Sequence, residues 1–301
     1  MALVEHVDVK EMPKATWLEI RRRGIGGSEA AAVMGLHPYD TPLSVYYAKL
    51  NGTQKEETLA MEVGKELEPF LRRKFEQWLK ENEGCEVDVQ ESPYMLANPD
   101  YPYMFAHIDG QFTHPEHGPC GLEIKTAGEF QRNDWGEDEL PDHYYIQVQH
   151  YMAVTGLQQF YVAYLIGNRQ FDAKLIPRNE EVIQRLVEKL GRFWSEHVLA
   201  SVPPAPRGLA CDTDILKQLY PEDDESTIEL HHCQDRLHRY KELKKQEKEL
   251  KVELDSIRQY FMVEMGGAAK ALVGNYKVTY KTVERKGYTV PPSSSRVLRI
   301  G

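Results

Sequence analysis

The chain has 301 residues, of which 41% are hydrophobic and 28% are charged, and its formal net charge is -10. This length suits one sizeable domain with an extension, or two domains. No run approaches the roughly 18 apolar residues of a membrane span, and the first residues lack the apolar core of a signal peptide. We therefore expect a soluble, cytoplasmic protein with no membrane partner. The widely spaced cysteines argue against a disulfide framework, a zinc site and an iron–sulfur cluster. They are Cys85, Cys120, Cys211 and Cys233.

The charge is unevenly distributed. Residues 226–301 contain 15 Lys and Arg and 9 Asp and Glu, a balance of +6, which leaves -16 for residues 1–225. Such an acidic excess is compatible with a carboxylate-rich metal site, because a divalent ion offsets negative charge locally. The net charge neither supports nor excludes a nucleic-acid partner, and DNA would have to bind along a local basic path.

The first part of the chain is predicted to be helical. One helix begins near Thr16, whose side chain can form a capping box with Glu19. The glycines that follow allow a tight turn, after which Ser28 can cap a second helix. The segment 59–84 has the periodicity of an amphipathic helix. Its predicted apolar face consists of Leu67, Phe70, Leu71, Phe75, Trp78 and Leu79.

Further along the chain, three strand-like runs are followed by a helix, a hairpin and another helix. They lie at 86–96, 103–113, 120–127, 142–156, 159–177 and 180–200. Gly156 ends the first of these helices, and Asn179 can cap the second. This order of elements predicts an α/β domain with a mixed sheet flanked by helices.

Pro203, Pro204 and Pro206 mark the end of this domain, because prolines at this density cannot continue a helix. We therefore place one domain over 1–207 and a C-terminal extension over 208–301. In the extension we expect a long helix from Ser226 or Thr227 to Met265, followed by a short basic β element. Its apolar residues roughly follow a heptad, so a coiled coil and a solvated helix or helical hairpin that packs on the main domain are both compatible with it.

The stretch 121-GLEIKTA-127 carries charge in an apolar setting. Side chains two apart in a strand share a face, so Glu123 and Lys125 project together, and Asp109 ends the preceding apolar run. If the strands are neighbours, Asp109 and Glu123 converge with Lys125 beside them. Two carboxylates and a backbone carbonyl suit Mg²⁺ or Mn²⁺, and a lysine can orient a water or stabilise an anionic transition state. The chemistry predicted is phosphodiester hydrolysis.

The alternative is a surface ion pair next to a turn, and the spacing alone does not exclude it. Leu122 and Ile124 flank the pair, and Ile108 precedes the aspartate. Burying charges in such surroundings costs several kcal/mol each unless they are paired or bound to a metal. The apolar setting therefore favours the metal site.

These residues resemble the PD-(D/E)xK nuclease signature, with Ile108 in place of its proline. The wider pattern resembles the YqaJ viral recombinase and lambda-exonuclease branch of that superfamily. The matching blocks, in the family's order, are 17-WLEIRRRGIGGSEAAAVMG-35, 64-GKELEP-69, 106-AHIDG-110, 122-LEIKT-126 and 147-QVQHYMAVTG-156. The resemblance implies a restriction-endonuclease-like core and Mg²⁺-dependent 5′→3′ digestion of double-stranded DNA ends, with two ions and with Mn²⁺ as a substitute. It also implies 3′ overhangs for a single-strand annealing protein, and a homo-oligomer that in the lambda type is often a trimeric ring.

The resemblance also assigns roles to residues of the metal site. Asp109, Glu123 and the backbone carbonyl of Ile124 would bind the ions, Lys125 would assist the attacking water, and Glu68 would complete the metal site. Without the resemblance, Glu68 would be interpreted as an ordinary exposed helical carboxylate.

A second group of residues is predicted to hold Lys125 or DNA. Gln147 and Tyr151 fit a Q-x-x-x-Y pattern and share a helical face. Gln147 or Gln149 could hold Lys125 or the DNA backbone, and Tyr151 could equally belong to the core. His107 is predicted to point away from Asp109.

Arg21 and Ser28 match positions that grip the terminal phosphate in the lambda type. Glycine-flanked N–H groups, a hydroxyl and a helix N-terminus do make an anion site. Arg22 or Arg23 could take the place of Arg21, and Ser28 could simply cap its helix.

Two other functions remain open. One is an endonuclease, or a nuclease of other polarity, on the same fold; an iron–sulfur nuclease would need clustered cysteines, which are absent from the sequence. The other is a non-catalytic DNA-binding recombination protein, which we would expect to lack Asp109, Glu123 or Lys125.

Overall fold

The computed structural model describes residues 5–9, 11–52, 58–136, 139–284 and 298, and the chain divides into two compact units, Met1–Leu219 and Tyr220–Gly301. The helices described in the first unit are α1 (Lys14–Arg22), α2 (Gly27–Met34), α3 (Pro42–Asn51), α4 (Leu59–Asn82), α5 (Asp142–Thr155), α6 (Glu180–Arg192) and α7 (Ala210–Leu219). Its strands are β1 (Glu5–Asp8), β2 (Ile25–Gly26), β3 (Tyr94–Asn98), β4 (Tyr101–Ala106), β5 (Gly110–His114), β6 (Gly118–Ala127), β7 (Gln159–Ile166) and β8 (Gln170–Pro177). A 3-10 helix spans Glu129–Asp134, and a π-helical segment, Phe193–Leu199, continues α6.

Within the described residues, these strands form two four-stranded sheets. The first has the order β1-β3-β4-β2, and the second has the order β5-β6-β7-β8. In the second sheet β6 and β7 run parallel, whereas β5–β6 and β7–β8 are antiparallel. The mixed α/β fold predicted from the order of elements is confirmed.

The second sheet lies between α4 and α5, and its side chains alternate between the two helices. Leu122 and Tyr161 pack with Phe75 of α4, whereas Phe160 and Val162 belong to the cluster that contains α5. Helix α5 is buried throughout residues 146–154, which makes it the central helix of the unit. By the same alternation, Glu123 and Lys125 of β6 face α5 rather than α4.

The run 103–113, predicted as one strand, is divided between the two sheets. β4 ends at Ala106 in the first sheet, and β5 begins at Gly110 in the second. The backbone passes close to its neighbours there, since a Cβ on Gly110 would lie 2.8 Å from Val89 Cγ1. The single-strand prediction was wrong because an apolar run does not show where a chain changes sheet. Asp109 lies in the break.

Helices α3 and α7 were not predicted from the sequence. Thr41 caps α3 by accepting the N–H of Ser44 at 3.1 Å, and Pro42 takes its first position. Asp212 of α7 is 1% exposed and accepts hydrogen bonds from Thr41 Oγ1 at 2.5 Å and Arg207 N–H at 2.6 Å. These bonds fasten α7 to the start of α3, so the first compact unit extends past the boundary predicted after residue 207.

The second unit contains α8 (Gln234–Met265) and a hairpin of β9 (Lys270–Val273) and β10 (Tyr276–Thr279). The predicted long helix is present but begins later than expected, after a 3-10 turn at His231–Cys233. The hairpin begins the short basic β element predicted after the long helix, and residues 285–297 and 299–301 of that basic segment lie outside the described residues. Among the helices of the described segments, none combines the length and apolar character needed to cross a bilayer.

Candidate active site

Asp109, Glu123 and Lys125 come together beside the start of the β5–β6 pairing. This antiparallel pairing sets Gly110 opposite Leu122. Asp109, just before Gly110, therefore lies next to Glu123, just after Leu122. Asp109 Oδ2 accepts the backbone N–H of Ile124 at 2.7 Å, and Lys125 Nζ lies 2.6 Å from Glu123 Oε1. The structure therefore joins the acid of the strand break to the acid–lysine pair of β6.

Glu68 reaches the same place from α4. Arg72, one helical turn further on, donates from Nη2 to Glu68 Oε1 at 2.7 Å and from Nε to the backbone carbonyl of Asp109 at 3.1 Å. Arg72 thus links α4 to the strand break and places a third carboxylate next to Asp109. The periodicity of the α4 sequence cannot reveal this contact, because the contact depends on how α4 crosses the sheet.

Burial and mutual repulsion make the three carboxyl groups reluctant to ionise together. Burial, with the Asp109 charge, raises the pKa of Glu123 to about 8 and the pKa of Glu68 to about 7. Burial also raises the pKa of Asp109, against the opposing effects of Lys125 and the Ile124 N–H. Burial lowers the pKa of Lys125, but Glu123 and Asp109 outweigh it, so that the net shift is upward and the ammonium form is stabilised.

The donor set fits a hard divalent cation. Glu123 Oε2 is buried and has no hydrogen-bond partner among the described residues, although a buried carboxylate oxygen normally has one. The charges of Asp109 and Glu68 lie close enough to raise the pKa of Glu123. Oxygen-only sites of this kind suit Mg²⁺ or Mn²⁺, and a cation there would satisfy the orphaned oxygen and offset the surplus negative charge.

Gln147 of α5 holds Glu123 from the opposite side. Its Nε2 donates to Glu123 Oε1 at 2.6 Å and to the Tyr151 hydroxyl at 2.7 Å. Tyr151 is buried, and its ring packs against the backbone of Gly27, where a Cβ would lie 2.4 Å from the ring. Gln147 and Tyr151 therefore connect Glu123 of β6 to the glycine turn before α2.

Gln149 does not belong to this site, so its assignment to DNA or phosphate is corrected. Its Nε2 donates to the carbonyl of Pro177 at 2.9 Å, and its Oε1 accepts the N–H of Asn179 at 2.9 Å. The side chain is fully buried. Residues two apart on a helix point in nearly opposite directions, so Gln147 faces the site while Gln149 ties α5 to the start of α6.

Tyr144 and Trp135 form an aromatic wall next to Lys125. Lys125 Nζ lies 4.9 Å from the centre of the Tyr144 ring, and the Trp135 ring is 5.4 Å from Tyr144 and stacks on Tyr164 at 4.3 Å. Tyr144 was not predicted. Its position three residues before Gln147 on α5 is a signal that could have found it.

A pocket of about 190 Å³ adjoins the acidic residues. Its lining includes Trp17, Arg21, Gly26, Gly27, Ser28, His107, Asp109, Gln147 and Tyr151. Arg21 Nη2 donates to Ser28 Oγ at 3.3 Å, and its guanidinium lies 4.9 Å from the Trp17 ring. Asp109 and Gln147 line the pocket, and they bond to Ile124 and Glu123 of β6 respectively, so the pocket and the acidic site are continuous.

The structure distinguishes between the three consecutive arginines. Arg22 donates to the carbonyls of Lys49 at 3.0 Å and Leu50 at 2.5 Å, which fastens α1 to α3. Arg23 lies on the surface, 3.7 Å from Glu19. Arg21 is the arginine that lines the pocket.

His107 lines the same pocket as Asp109, contrary to the prediction that it points away. The prediction was wrong because side chains two apart share a strand face, and because both residues lie beyond the end of β4 at Ala106.

A separate cluster, Glu83, Cys85 and His114, has donor atoms within 4.8 Å of one another. His114 Nδ1 accepts the N–H groups of Glu116 and His117, both at 3.2 Å. The proton of a neutral imidazole must then lie on Nε2, which is 3.0 Å from Glu83 Oε2. A histidine that binds metal through Nε2 carries its proton on Nδ1 instead, so this cluster is better explained as a hydrogen-bonded group.

This acid–lysine arrangement, on a mixed sheet flanked by helices, is that of a PD-(D/E)xK core. Residues 16–158 match the YqaJ-like viral recombinase domain. The chain is 30% identical to the protein YqaJ of Bacillus subtilis (strain 168) over 279 residues, covering 91% of this chain and 85% of that protein. The chain belongs to the YqaJ family.

Solved exonuclease structures are among the proteins similar to this chain. The alkaline exonuclease LHK-Exo from Laribacter hongkongensis is 20% identical, with a TM-score of 0.49, covering 69% of this chain and 98% of that one. A phage-related exonuclease from Haemophilus somnus 129PT is 12% identical, with a TM-score of 0.40, covering 62% of this chain and 99% of that one. Family membership rests on the sequence matches, and together with the site chemistry it supports a nuclease role.

Proposed function

We propose that this chain is a divalent-metal-dependent exonuclease that digests double-stranded DNA ends in the 5′→3′ direction. It would leave 3′ single strands for a single-strand annealing protein in phage-type recombination. The observation that carries the proposal is the continuity of the Arg21–Ser28 pocket with the acidic site, through Asp109 and Gln147. An anion pocket that opens onto a hydrolytic site suits a substrate with a terminal phosphate next to the bond to be cleaved.

Asp109, Glu123, Glu68 and the backbone carbonyl of Ile124 would hold Mg²⁺ or Mn²⁺, in a site with room in its donor set for two ions. Bound there, the cation would supply Lewis-acid stabilisation of phosphate charge and acidify a nearby water. Gln147 fixes the Glu123 carboxylate, and Arg72 fixes Glu68. These bonds preorganise the acids before substrate arrives.

Lys125 acts as a charged hydrogen-bond donor. Its neighbours Glu123 and Asp109 stabilise the ammonium form, so Nζ has no free lone pair with which to take a proton. From its position beside Glu123 it can orient the attacking water and stabilise negative charge that develops on the phosphate. This role makes it an electrostatic rather than a basic residue.

Arg21, Ser28 and the N-terminus of α2 supply the anion-binding groups of the pocket. A terminal phosphate monoester carries more negative charge than an internal diester, so the pocket favours a phosphorylated 5′ end. Tyr151 shapes this pocket by packing on Gly27 and accepting the Gln147 amide.

The resemblance to the lambda type also implies an oligomeric assembly. We propose a homo-oligomer, with a ring around DNA as its simplest form, in which the basic C-terminal segment contributes DNA or subunit contacts. Light scattering on the full chain tests this directly, because a monomeric mass at working concentration would contradict it.

The test of the function is digestion of a linear duplex labelled at either the 5′ or the 3′ end. With Mg²⁺ we expect early release of the 5′ label as mononucleotide, and almost none after chelation. Lys125→Ala should digest the duplex about a hundredfold more slowly than wild type. The matched control Lys80→Ala removes a lysine near the C-terminal end of α4 and should digest at the wild-type rate. Early release of the 3′ label would show that digestion runs 3′→5′ and would contradict the proposed polarity. Cleavage of closed circular duplex would identify an endonuclease.

A further inference from the structure

The phosphate pocket is supported from behind by Lys49 of α3. Its Nζ donates to Glu29 Oε2 at 2.6 Å, to Glu29 Oε1 at 2.7 Å and to the backbone carbonyl of Arg21 at 2.9 Å. Lys49 is only 5% exposed. An ammonium group has three donors, and here all three are used on the segment that forms the pocket.

Glu29 connects this lysine to the glycine turn and to Arg21. Its Oε2 also accepts the N–H of Gly26 at 2.7 Å, and its Oε1 lies 3.7 Å from Arg21 Nη2. Burial raises the pKa of Glu29, but Lys49 and Arg21 outweigh it and the net shift is downward, so the group is an ionised carboxylate. A negative charge therefore lies within reach of the guanidinium that would receive the phosphate.

The charge of this cluster depends on Lys49. Arg21, Lys49 and Glu29 together carry one net positive charge, which faces an incoming phosphate. Without Lys49, the Glu29 carboxylate would be left without its closest partner and would pair with Arg21, the cation nearest to it. Arg21 would then be neutralised and drawn away from Ser28, and phosphate would have to compete with a fixed carboxylate.

We propose that Lys49 is a positioning residue for recognition of the DNA end. By binding Glu29 and the main chain of Arg21, it leaves the Arg21 guanidinium available for the terminal phosphate. The inference rests on the proposed function of the pocket and extends it to a residue outside the pocket lining. It also predicts that the harm done by losing Lys49 comes from Glu29.

The test compares blunt duplexes that end in a 5′-phosphate or a 5′-hydroxyl. The readout is the ratio of kcat/KM for the two ends in wild type, Lys49→Met, Glu29→Gln and the double variant. Lys49→Met should reduce the preference for the phosphorylated end about tenfold, mainly through KM. The double variant should recover most of this preference, because the unpaired carboxylate is gone.

A merely structural role predicts the opposite pattern. The double variant would then discriminate as poorly as Lys49→Met or worse, and this result would overturn the inference. If Lys49→Met does not fold, Glu29→Gln alone still decides, since we expect it to keep or increase the preference for phosphate. A loss of preference in Glu29→Gln would contradict the proposal.

Two arginine variants separate the inference from the function on which it rests. Arg23→Ala is the matched control, because this exposed arginine lies outside the pocket, and its preference should equal that of wild type. Arg21→Ala should abolish the preference. If Arg21→Ala keeps the preference, the assignment of the pocket to the terminal phosphate is wrong. If Arg21→Ala loses the preference while Lys49→Met behaves as wild type, only the role of Lys49 is refuted.

Discussion

The acidic site and the phosphate pocket share Asp109 and Gln147, but they differ in how their buried charges are balanced. Behind the pocket the buried charges of Lys49 and Glu29 are paired, and Lys49 uses all three of its donors. In the acidic site three carboxyl groups crowd together, the pKa of Glu123 is raised to about 8, and one of its oxygens has no partner among the described residues. The charges behind the pocket balance one another, whereas the acidic site carries surplus negative charge that a bound cation would offset. Stability and the proposed function therefore coincide at the phosphate pocket and conflict in the acidic site.

The largest expected effect comes from removing one acid. Asp109→Asn should lower the exonuclease rate by about a thousandfold, because a carboxylate of the metal site is lost. The same change should raise the melting temperature in metal-free buffer by about 2–4 °C, because it relieves repulsion with Glu123 and Glu68. Digestion and thermal melting on the same preparation check both expectations.

If Asp109→Asn melts below wild type in chelator, the acidic site does not lower the stability of the metal-free protein, and the proposed conflict between stability and function is wrong. The control is Asp212→Asn in the same unit. Asp212 accepts two backbone N–H groups and the Thr41 hydroxyl, so its loss should lower the melting temperature.

The two glutamines of α5 offer a matched pair. Gln147→Leu should slow catalysis by about 10–100-fold with little change in stability, because it frees the Glu123 carboxylate. Gln149→Leu should do the reverse, since it leaves the Pro177 carbonyl and the Asn179 N–H unpaired. Steady-state kinetics and melting of both variants measure this, and equal loss of rate in the two would show that they do not differ in role.

The aromatic wall should matter less. Tyr144→Leu should reduce kcat about three- to fivefold, because Lys125 loses the ring face against which its ammonium lies. Tyr144→Phe keeps that face and should retain nearly the full rate. If the phenylalanine variant is as slow as the leucine variant, the hydroxyl rather than the ring supports Lys125.

The smallest effect concerns pH. Folding raises the pKa of Glu123 to about 8 and that of Glu68 to about 7, from an ordinary value of 4.5. The folded state therefore binds more protons than the unfolded state between these values, and metal-free stability should fall as pH rises from 4.5 to about 8. Because Mg²⁺ binds the ionised form, it should raise the melting temperature more at pH 8.5 than at pH 6. An equal or larger increment at pH 6 would contradict the assignment.

Much of the acidic site could be predicted from local pattern. Period-two alternation alone set Glu123 and Lys125 on one face, and the structure places them there. Glu68 needed the family resemblance, since its neighbour Asp109 lies far away in sequence and the contact depends on how α4 crosses the sheet. His107 was misplaced because side chains two apart share a strand face, which puts His107 on the side of Asp109 rather than opposite it.

The pocket was harder to predict, for a physical reason. Three consecutive arginines look alike in sequence, and only the carbonyls of Lys49 and Leu50 select Arg22 as the structural one. Both carbonyls belong to α3, a helix that the sequence analysis did not predict. The same omission hid Lys49, whose role depends on tertiary contacts with Glu29 and Arg21.

The most direct test of the account is the release of the 5′-terminal nucleotide from a phosphorylated blunt duplex by wild type and Glu123→Gln in Mg²⁺. We expect wild type to release labelled mononucleotide only when Mg²⁺ is present. Glu123→Gln should bind the same duplex, with its preference for the 5′-phosphate intact, and release essentially none. Release by wild type in the presence of chelator, or by Glu123→Gln at the wild-type rate, would contradict the assignment of the acidic site.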